Sequence, residues 1–289
     1  MKLAVLADIH GNVTAFRECT AYALSRGITT FIILGDYSGE LPCLRETLDY
    51  LYELQGKYTC YCIRGNREEY MLNYRNTGQA GYEKGNSASG CLLYAYEQLT
   101  GRDLDFFESL PISQTLSFPG LPPLTICHGS PRRVNEKLLP GGEAVREVAE
   151  SEGSSYILCG HTHVQGEICC QGKRIWNSGS VGVPICSGGQ AQFMILEGAD
   201  GDWEREFVSL PYDTEAAIRQ IGASGLDAYA PYWCEVTGYM LKGVAIDHAD
   251  VLDRAMELCR QETGQCVWPE IPEECWERAV RELLPADVL

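Results

Sequence analysis

Four of the chain's five histidines, His10, His128, His161 and His163, stand just beyond short apolar runs, in the company of Asp8, Asp36 and Asn66. Leu3–Ala7 runs into Asp8-Ile9-His10-Gly11-Asn12, Phe31–Leu34 into Gly35-Asp36-Tyr37, and Cys60–Ile63 into Arg64-Gly65-Asn66-Arg67. Leu124–Cys127 runs into His128-Gly129-Ser130, Tyr156–Cys159 into Gly160-His161-Thr162-His163, and Arg174–Trp176 into Asn177-Ser178-Gly179-Ser180. One such histidine or aspartate is ordinarily a cap or a surface group. Seven nitrogen and oxygen donors in five clusters form a set suited to borderline divalent cations such as Mn, Fe, Zn, Co or Ni.

For these donors to meet, the runs before them must end at one rim. Short β-branched runs closed by Gly or polar residues read as strands. Helix-like stretches lie between them, at Val13–Arg26, Leu44–Leu54 and Gly142–Glu152. Strands alternating with helices imply an α/β fold whose reactive groups collect beyond the carboxyl ends of the strands. The Pro-rich turn from Phe118 to Pro123 reads as a hairpin connection between Ser113–Phe118 and Leu124–Cys127. Arg67–Leu110, with a Gly/Asn/Ser-rich stretch at Asn76–Gly90 and helix-like segments at Leu92–Leu99 and Asp103–Leu110, is placed to form a cleft wall. After strand-like Gln192–Leu196 and Trp203–Leu210, the rest reads mostly as helices, at Thr214–Ile221, His248–Gln261 and near Pro272–Leu283. The expected division is therefore 1–210, which carries the donors, and an acidic, mostly helical extension over 211–289.

The 289 residues carry a formal net charge of −17, of which −12 falls in residues 200–289. That balance repels phosphate backbones and anionic lipid, which argues against a general nucleic-acid coat or a membrane surface as partner. No cleavable signal pattern and no apolar run of membrane length is visible, so a cytoplasmic protein with reduced thiols is expected. Cys60-x-Cys62 and Cys169-Cys170, among 14 cysteines, lack the spacing of structural zinc sites and read as small apolar filler.

The ordered set Asp8-x-His10, Gly35-Asp36, Gly65-Asn66, His128-Gly129 and Gly160-His161-x-His163 resembles the calcineurin-like metallophosphoesterases. Asn177-Ser178-Gly179-Ser180-Val181-Gly182 is similar to a segment of their small bacterial and archaeal phosphodiesterase-like branch, and the resemblance covers about residues 1–210. It implies a four-layer α/β/β/α sandwich and a dinuclear centre of two divalent transition-metal ions, manganese first. Asp8, His10, Asp36 and His163 would hold one ion, and Asp36, Asn66, His128 and His161 the other, with Asp36 bridging. Asp36, Asn66, His128 and Arg67 are the implied catalytic residues. A metal-bridging hydroxide would attack phosphorus in line on a small phosphorylated substrate, favouring a phosphodiester or nucleotide. A protein serine/threonine or dinucleoside-polyphosphate phosphatase is the alternative on the same core, and a non-catalytic scaffold a further one.

Arg67 occupies a position where many members of that family have histidine. An arginine stays protonated and cannot act as a general acid, although its fork can grip a phosphate or an aspartate. The competing expectation pairs it with Glu68 or Glu69. Asn12, Arg67, Asn177 and Ser180 are candidate substrate contacts, with turn roles as the alternative. Arg132 and Arg133 read as anion-steering or solvated, and His248 as a helix-start or surface residue. Tyr229, Tyr232 and Trp233 either cover the cleft or pack the extension on the sandwich. The sequence does not indicate an oligomeric state.

Overall fold

The computed structural model describes residues 1–78 and 81–285. Residues 79 and 80 of the Gly/Asn/Ser-rich stretch, and 286–289 of the extension, lie outside the described residues. The first sheet contains β1 (Lys2–Leu6), β2 (Thr30–Ile33), β3 (Thr59–Cys62), β9 (Ala191–Ala199) and β10 (Asp202–Leu210), in the order β10-β9-β1-β2-β3. β1, β2 and β3 are parallel. That pairing requires crossovers, which α1 (Val13–Ser25) and α2 (Leu44–Lys57) provide.

The second sheet contains β4 (Ser113–Leu116), β5 (Leu124–Cys127), β6 (Tyr156–Cys159), β7 (Gly166–Cys170) and β8 (Lys173–Asn177), in the order β4-β5-β6-β8-β7. β5, β6 and β8 are parallel, so their carboxyl ends share one edge. The Pro-rich turn closes the expected antiparallel hairpin, with Ser113 opposite Cys127. α6 (Glu143–Ser151) crosses between β5 and β6.

Alternation along the strands sets the layers. Leu3 and Val5 of β1 face inward, packing with Leu124, Ile126, Leu158 and Trp176 of the second sheet. Ala4 and Leu6 face outward against Phe16, Leu48 and Leu51 of the first two helices. On the far side, Ile157, Cys159 and Ile175 pack against Val145 and Val148 of α6. The result is the expected α/β/β/α sandwich. β7, which the sequence reading passed over, forms one edge of the second sheet. Its Cys169 is exposed, correcting the filler reading there, whereas Cys62 is buried.

Helix α3 (Asn66–Thr77) opens directly on a candidate ligand, and α4 (Gly90–Glu97) and α5 (Gly101–Ser109) follow it. In the extension, α7 (Thr214–Ser224), α8 (Pro231–Leu241), α9 (His248–Thr263) and α10 (Glu273–Leu283) build a second apolar cluster. Val236, Met240, Leu258 and Trp276 belong to it, and so do Leu41 and Val183 from loops that follow β2 and β8. The extension is thereby packed onto the loop that carries Asp36 and onto the loop that follows β8. Among the described residues no helix is long and apolar enough to cross a membrane.

Docking of the extension depends on a close backbone approach at the start of α4. A Cβ on Gly90 would lie 1.8 Å from the Tyr229 carbonyl oxygen, whereas Gly56 in α2 has open space around it. Gly90→Ala is therefore expected to cost about 1–3 kcal/mol, a Tm loss of roughly 2–4 °C per kcal/mol in thermal denaturation. Gly56→Ala should not lower Tm, and equal melting of Gly90→Ala and wild type would contradict this packing.

Candidate metal centre

Five of the seven candidate ligands have left-handed backbone: Asp8 (φ 55°), His10 (52°), Asp36 (54°), His161 (67°) and His163 (56°). Each such non-glycine residue costs on the order of 1–3 kcal/mol and persists only where its surroundings over-determine it. The chain turns sharply as it leaves each strand, aiming successive side chains into one volume. Gly65 and Gly160 permit the crowding, since a Cβ on either would lie 2.2 Å from Asp36 Oδ1 or 2.6 Å from Asp8 Oδ2.

Backbone donors hold these turns. Buried Glu68 accepts from the N–H groups of Asp36 (2.8 Å), Tyr37 (2.8 Å), Ser38 (3.4 Å) and Gly65 (2.9 Å), clamping the loop after β2 to the start of α3. Burial and the Asp36 carboxylate push Glu68 up to about 7. Asp8 Oδ2 accepts from the His161 N–H at 2.9 Å, and Asp36 Oδ1 from the Arg67 N–H at 2.8 Å. Each aspartate thus gives one oxygen to the scaffold and keeps the other for the centre.

Around those inner oxygens the imidazoles converge. Asp8 Oδ1 lies 3.3 Å from His163 Nε2 and 3.8 Å from both His10 Nε2 and His128 Nε2. Asp36 Oδ2 lies 3.7 Å from His10 Nε2 and 3.4 Å from His128 Nε2. His10 Nε2 and His163 Nε2 are 3.0 Å apart, and Asn66 Oδ1 is 3.0 Å from His128 Nε2. Two groups, Asp8/His10/His163 and Asp8/Asp36/His128, each bring their donor atoms within 4.8 Å of one another. The His161 ring stands outside both groups, 5.2 Å from that of His128 between centroids.

The outer nitrogens fix how these rings can bind. A carbonyl can only accept, so His128 Nδ1 donates to Leu34 (2.7 Å) and His163 Nδ1 to Val183 (2.9 Å). His10 Nδ1 lies 2.5 Å from Glu40 Oε2. In the neutral rings this leaves the Nε2 lone pairs directed inward, the arrangement that second-shell partners give metal-ligating histidines. Together with Asp8 Oδ1, buried with no hydrogen-bond donor on it, this donor set fits divalent cations.

Electrostatics show how strongly the rim calls for positive charge. Burial alone would lower His10 and His128, yet Glu40, Asp8 and Asp36 hold His10 at about 10, and Asp36 and Asp8 hold His128 at about 9. Burial alone would raise Asp8, but His163 and His128 outweigh it and keep it well below the carboxylate range. His161 is pushed down to about 4 by burial and by His128, so it is neutral near pH 7.

Several candidates prove to be scaffold. Asn12 caps α1, accepting from the Ala15 N–H (3.1 Å) and donating to the Gly182 carbonyl (2.9 Å) and the Tyr212 hydroxyl (3.0 Å). Asn177 donates to the Gly160 carbonyl (2.6 Å) and Thr162 Oγ1 (3.0 Å) while accepting from the Gly179 N–H (2.9 Å). Ser180 donates to the Asp8 carbonyl (2.8 Å) and accepts from the Val183 N–H (2.9 Å). Their polar atoms hydrogen-bond the loops that carry the candidate ligands, the turn role set beside substrate contact in the sequence reading. Arg132 is tied to Glu136 and Glu147, and Arg133 is exposed.

Arg67 pairs with buried Glu40, not with Glu68 or Glu69. Glu69 pairs instead with Arg64 at 3.2 Å. Burial would raise Glu40, but Arg67 and His10 keep it well below its usual range. His248 begins α9 as expected, yet it is buried and lines the donor cleft, correcting the surface reading. Its ring stacks on Trp233, with centroids 4.3 Å apart and planes at 19°. Thr237 Oγ1 donates to the Trp233 carbonyl (2.9 Å), so His248 Nε2 donates to Thr237 Oγ1 (2.9 Å) and Nδ1 is left as an acceptor. Burial pushes this ring down to about 4. Trp233 belongs to the cleft wall, and Tyr229 packs on Tyr94.

The donor rim floors a cleft of about 500 Å³ whose opposite wall comes from the extension, through Trp233, Met240, His248, Leu252 and Trp268. Tyr70, Ala88 and Leu92 add the wall expected from the 67–110 region. A family model for the calcineurin-like phosphoesterase superfamily domain matches residues 1–201. The chain belongs to this superfamily: it is a phosphoesterase, a hydrolase acting on ester bonds, with Asp/His groups that fit a metal-dependent member. A relative from Methanocaldococcus jannaschii, an uncharacterized protein, is 24% identical over 237 residues, 76% of this chain and 91% of that one. The chain shares its fold with a metallophosphoesterase from Sphaerobacter thermophilus (TM-score 0.66, 20% identity, 84% of this chain and 100% of that one). It shares it also with a hypothetical protein from Pyrococcus horikoshii OT3 (TM-score 0.69, 19% identity, 85% and 99%).

In the metal-free protein His10 and His128 carry protons at neutral pH, and a cation must displace them. Metal binding is therefore expected to release protons, and apparent affinity to rise from pH 7 towards pH 10 as those two rings deprotonate. Calorimetric titration with Mn²⁺ in buffers of different ionisation enthalpy checks this. Affinity that stays flat across that range, with no proton release, would contradict the charge balance described above.

Proposed function

We propose that the chain is a dinuclear phosphoesterase acting on a small phosphodiester or nucleotide-type ester, with residues 1–210 as its catalytic domain and 211–289 as the extension that limits substrate size. The observation that carries this reading is the roofed cleft: Asp36, Asn66, His10, His161 and His163 line it opposite a wall to which α8 and α9 contribute, with Asp8 and His128 buried behind them. A cleft of about 500 Å³ lies within the range of small-molecule sites, and its roof weighs against a folded phosphoprotein as substrate.

Asp8, His10, Asp36 and His163 would hold one cation and Asp36, Asn66, His128 and His161 the other, with manganese first among the candidates. When bound, such a pair supplies positive charge for the phosphoryl oxygens and lowers the pKa of a water. The protein's own contribution is orientation. His10, His128 and His163 are held through their outer nitrogens, and Asp8 and Asp36 through their outer oxygens, so the inner atoms need little rearrangement. Arg67 faces the cleft with its charge balanced by Glu40, and it holds its proton at any working pH. It can orient a phosphoryl oxygen but cannot protonate a leaving group. That favours diesters with good leaving groups over simple alkyl monoesters.

Purified metal-free protein titrated with Mn²⁺ is expected to hydrolyse bis-p-nitrophenyl phosphate faster than p-nitrophenyl phosphate. Asp36→Asn should lower kcat by about 10²-fold or more and weaken metal binding. Preference for the monoester would overturn the diester assignment. Absence of turnover with any divalent cation would overturn the proposed activity itself.

A further inference from the structure

A second pocket of about 260 Å³ adjoins the donor cleft, sharing Leu139, Thr162 and Val164 with it. Thr162 sits between His161 and His163, so the pocket begins one residue from two candidate ligands. Its other walls include Pro140, Cys159, Ile168 and Ile175. The polar side chains at its edge are engaged elsewhere. Gln165 Nε2 donates to the carbonyls of Ser178 (3.1 Å) and Phe193 (2.9 Å). Glu167 accepts from Trp176 Nε1 at 3.0 Å and pairs with Arg205, and Asn177 is spent as described above. What remains to meet a ligand is mainly apolar.

The boundary between pocket and cleft points the same way. Among the described residues six large hydrophobic side chains are exposed, and Leu139 (49%), Val164 (50%) and Trp268 (41%) all border the cleft. Exposed apolar residues scattered singly need no explanation, but three around one charged rim form a patch with a use. We propose that this pocket is the subsite for the organic group of the ester. The substrate is then a phosphoester that carries a branched-alkyl group or an aromatic group of about one or two rings, not an inorganic phosphate chain. A cavity of roughly 150 Å³ already admits benzene, so about 260 Å³ has room for a bicyclic group. This subsite rests on the proposed phosphoesterase reading, because the phosphoryl group at the rim sets where the organic group extends.

The test uses two diesters with the same p-nitrophenyl leaving group, one carrying a methyl and the other a 2-naphthylmethyl group, both alkyl esters, on the Mn²⁺-loaded full chain. The chemistry is then shared and only the organic group differs. Wild type should favour the naphthylmethyl ester in kcat/KM by about tenfold or more. Leu139→Asp, at an exposed position, and Ile168→Phe, which fills the pocket, should each bring that ratio towards one. Equal kcat/KM for the two esters in wild type, or a ratio that neither substitution moves, would overturn the subsite. Turnover of neither ester would instead count against the phosphoesterase reading. The subsite is then decided by binding of 2-naphthyl phosphate, followed by naphthyl fluorescence: about tenfold weakening in both variants supports it, and unchanged binding overturns it.

Discussion

Two buried carboxylates, Asp8 and Asp36, set the terms for the rest of the molecule. Burying a charge costs several kcal/mol unless it is paired and hydrogen-bonded, and here two like charges share one rim. Each carboxylate is anchored through one oxygen, Asp8 by the His161 N–H and Asp36 by the Arg67 N–H, and each turns its other oxygen towards the imidazoles. Asp8 also ties the two halves of the sandwich together. Its carboxylate reaches the loop after β6, and its carbonyl accepts from Ser180 and from the Gly182 N–H. The left-handed backbone at five candidate-ligand positions is the cost of aiming these groups inward. It is offset by the hydrogen bonds of Glu68, Asn12, Asn177 and Ser180, none of which needs to touch a substrate.

A further buried chain of charge links this centre to its surroundings. Arg67 compensates Glu40, and Glu40 in turn lies against the outer nitrogen of His10. The same Arg67 contributes its backbone N–H to Asp36. Any residue but proline would supply that N–H, whereas the charge that compensates Glu40 requires a long cationic side chain such as arginine's. The extension meets this shell through Leu41 and Val183, which pack into its apolar cluster. Its acidic surplus meets the cleft only through Asp247 among the described lining residues. The wall that looks onto the rim is made mainly of Trp233, Met240, Leu252 and Trp268.

Much of the fold was legible because its strands are short apolar runs closed by polar or Gly-containing clusters, and β1, β2, β5, β6 and β8 all fall where those runs lie. The seven candidate ligands stood out because histidine is scarce in this chain and four of five histidines follow such runs. Other parts left no local signal. Glu40 and Glu68 are two among 40 acidic residues, and nothing in their neighbours marks them as buried. Helix α8 is apolar on most of its surface, so it shows no amphipathic period. His248 lies 85 residues beyond His163, and only the packing of the extension brings it to the cleft. Asn12, Asn177 and Ser180 have side chains equally able to bind a ligand or a loop, and the choice depends on which backbone groups come within reach.

The central claim is that the two aspartates hold a pair of cations with Asp36 shared between them. Anomalous scattering from crystals of the full chain grown with Mn²⁺ measures this directly. The account predicts two manganese peaks at the rim, one against Asp8, His10 and His163 and one against Asn66, His128 and His161, with Asp36 touching both. A single peak, or two peaks that do not share Asp36, would contradict it.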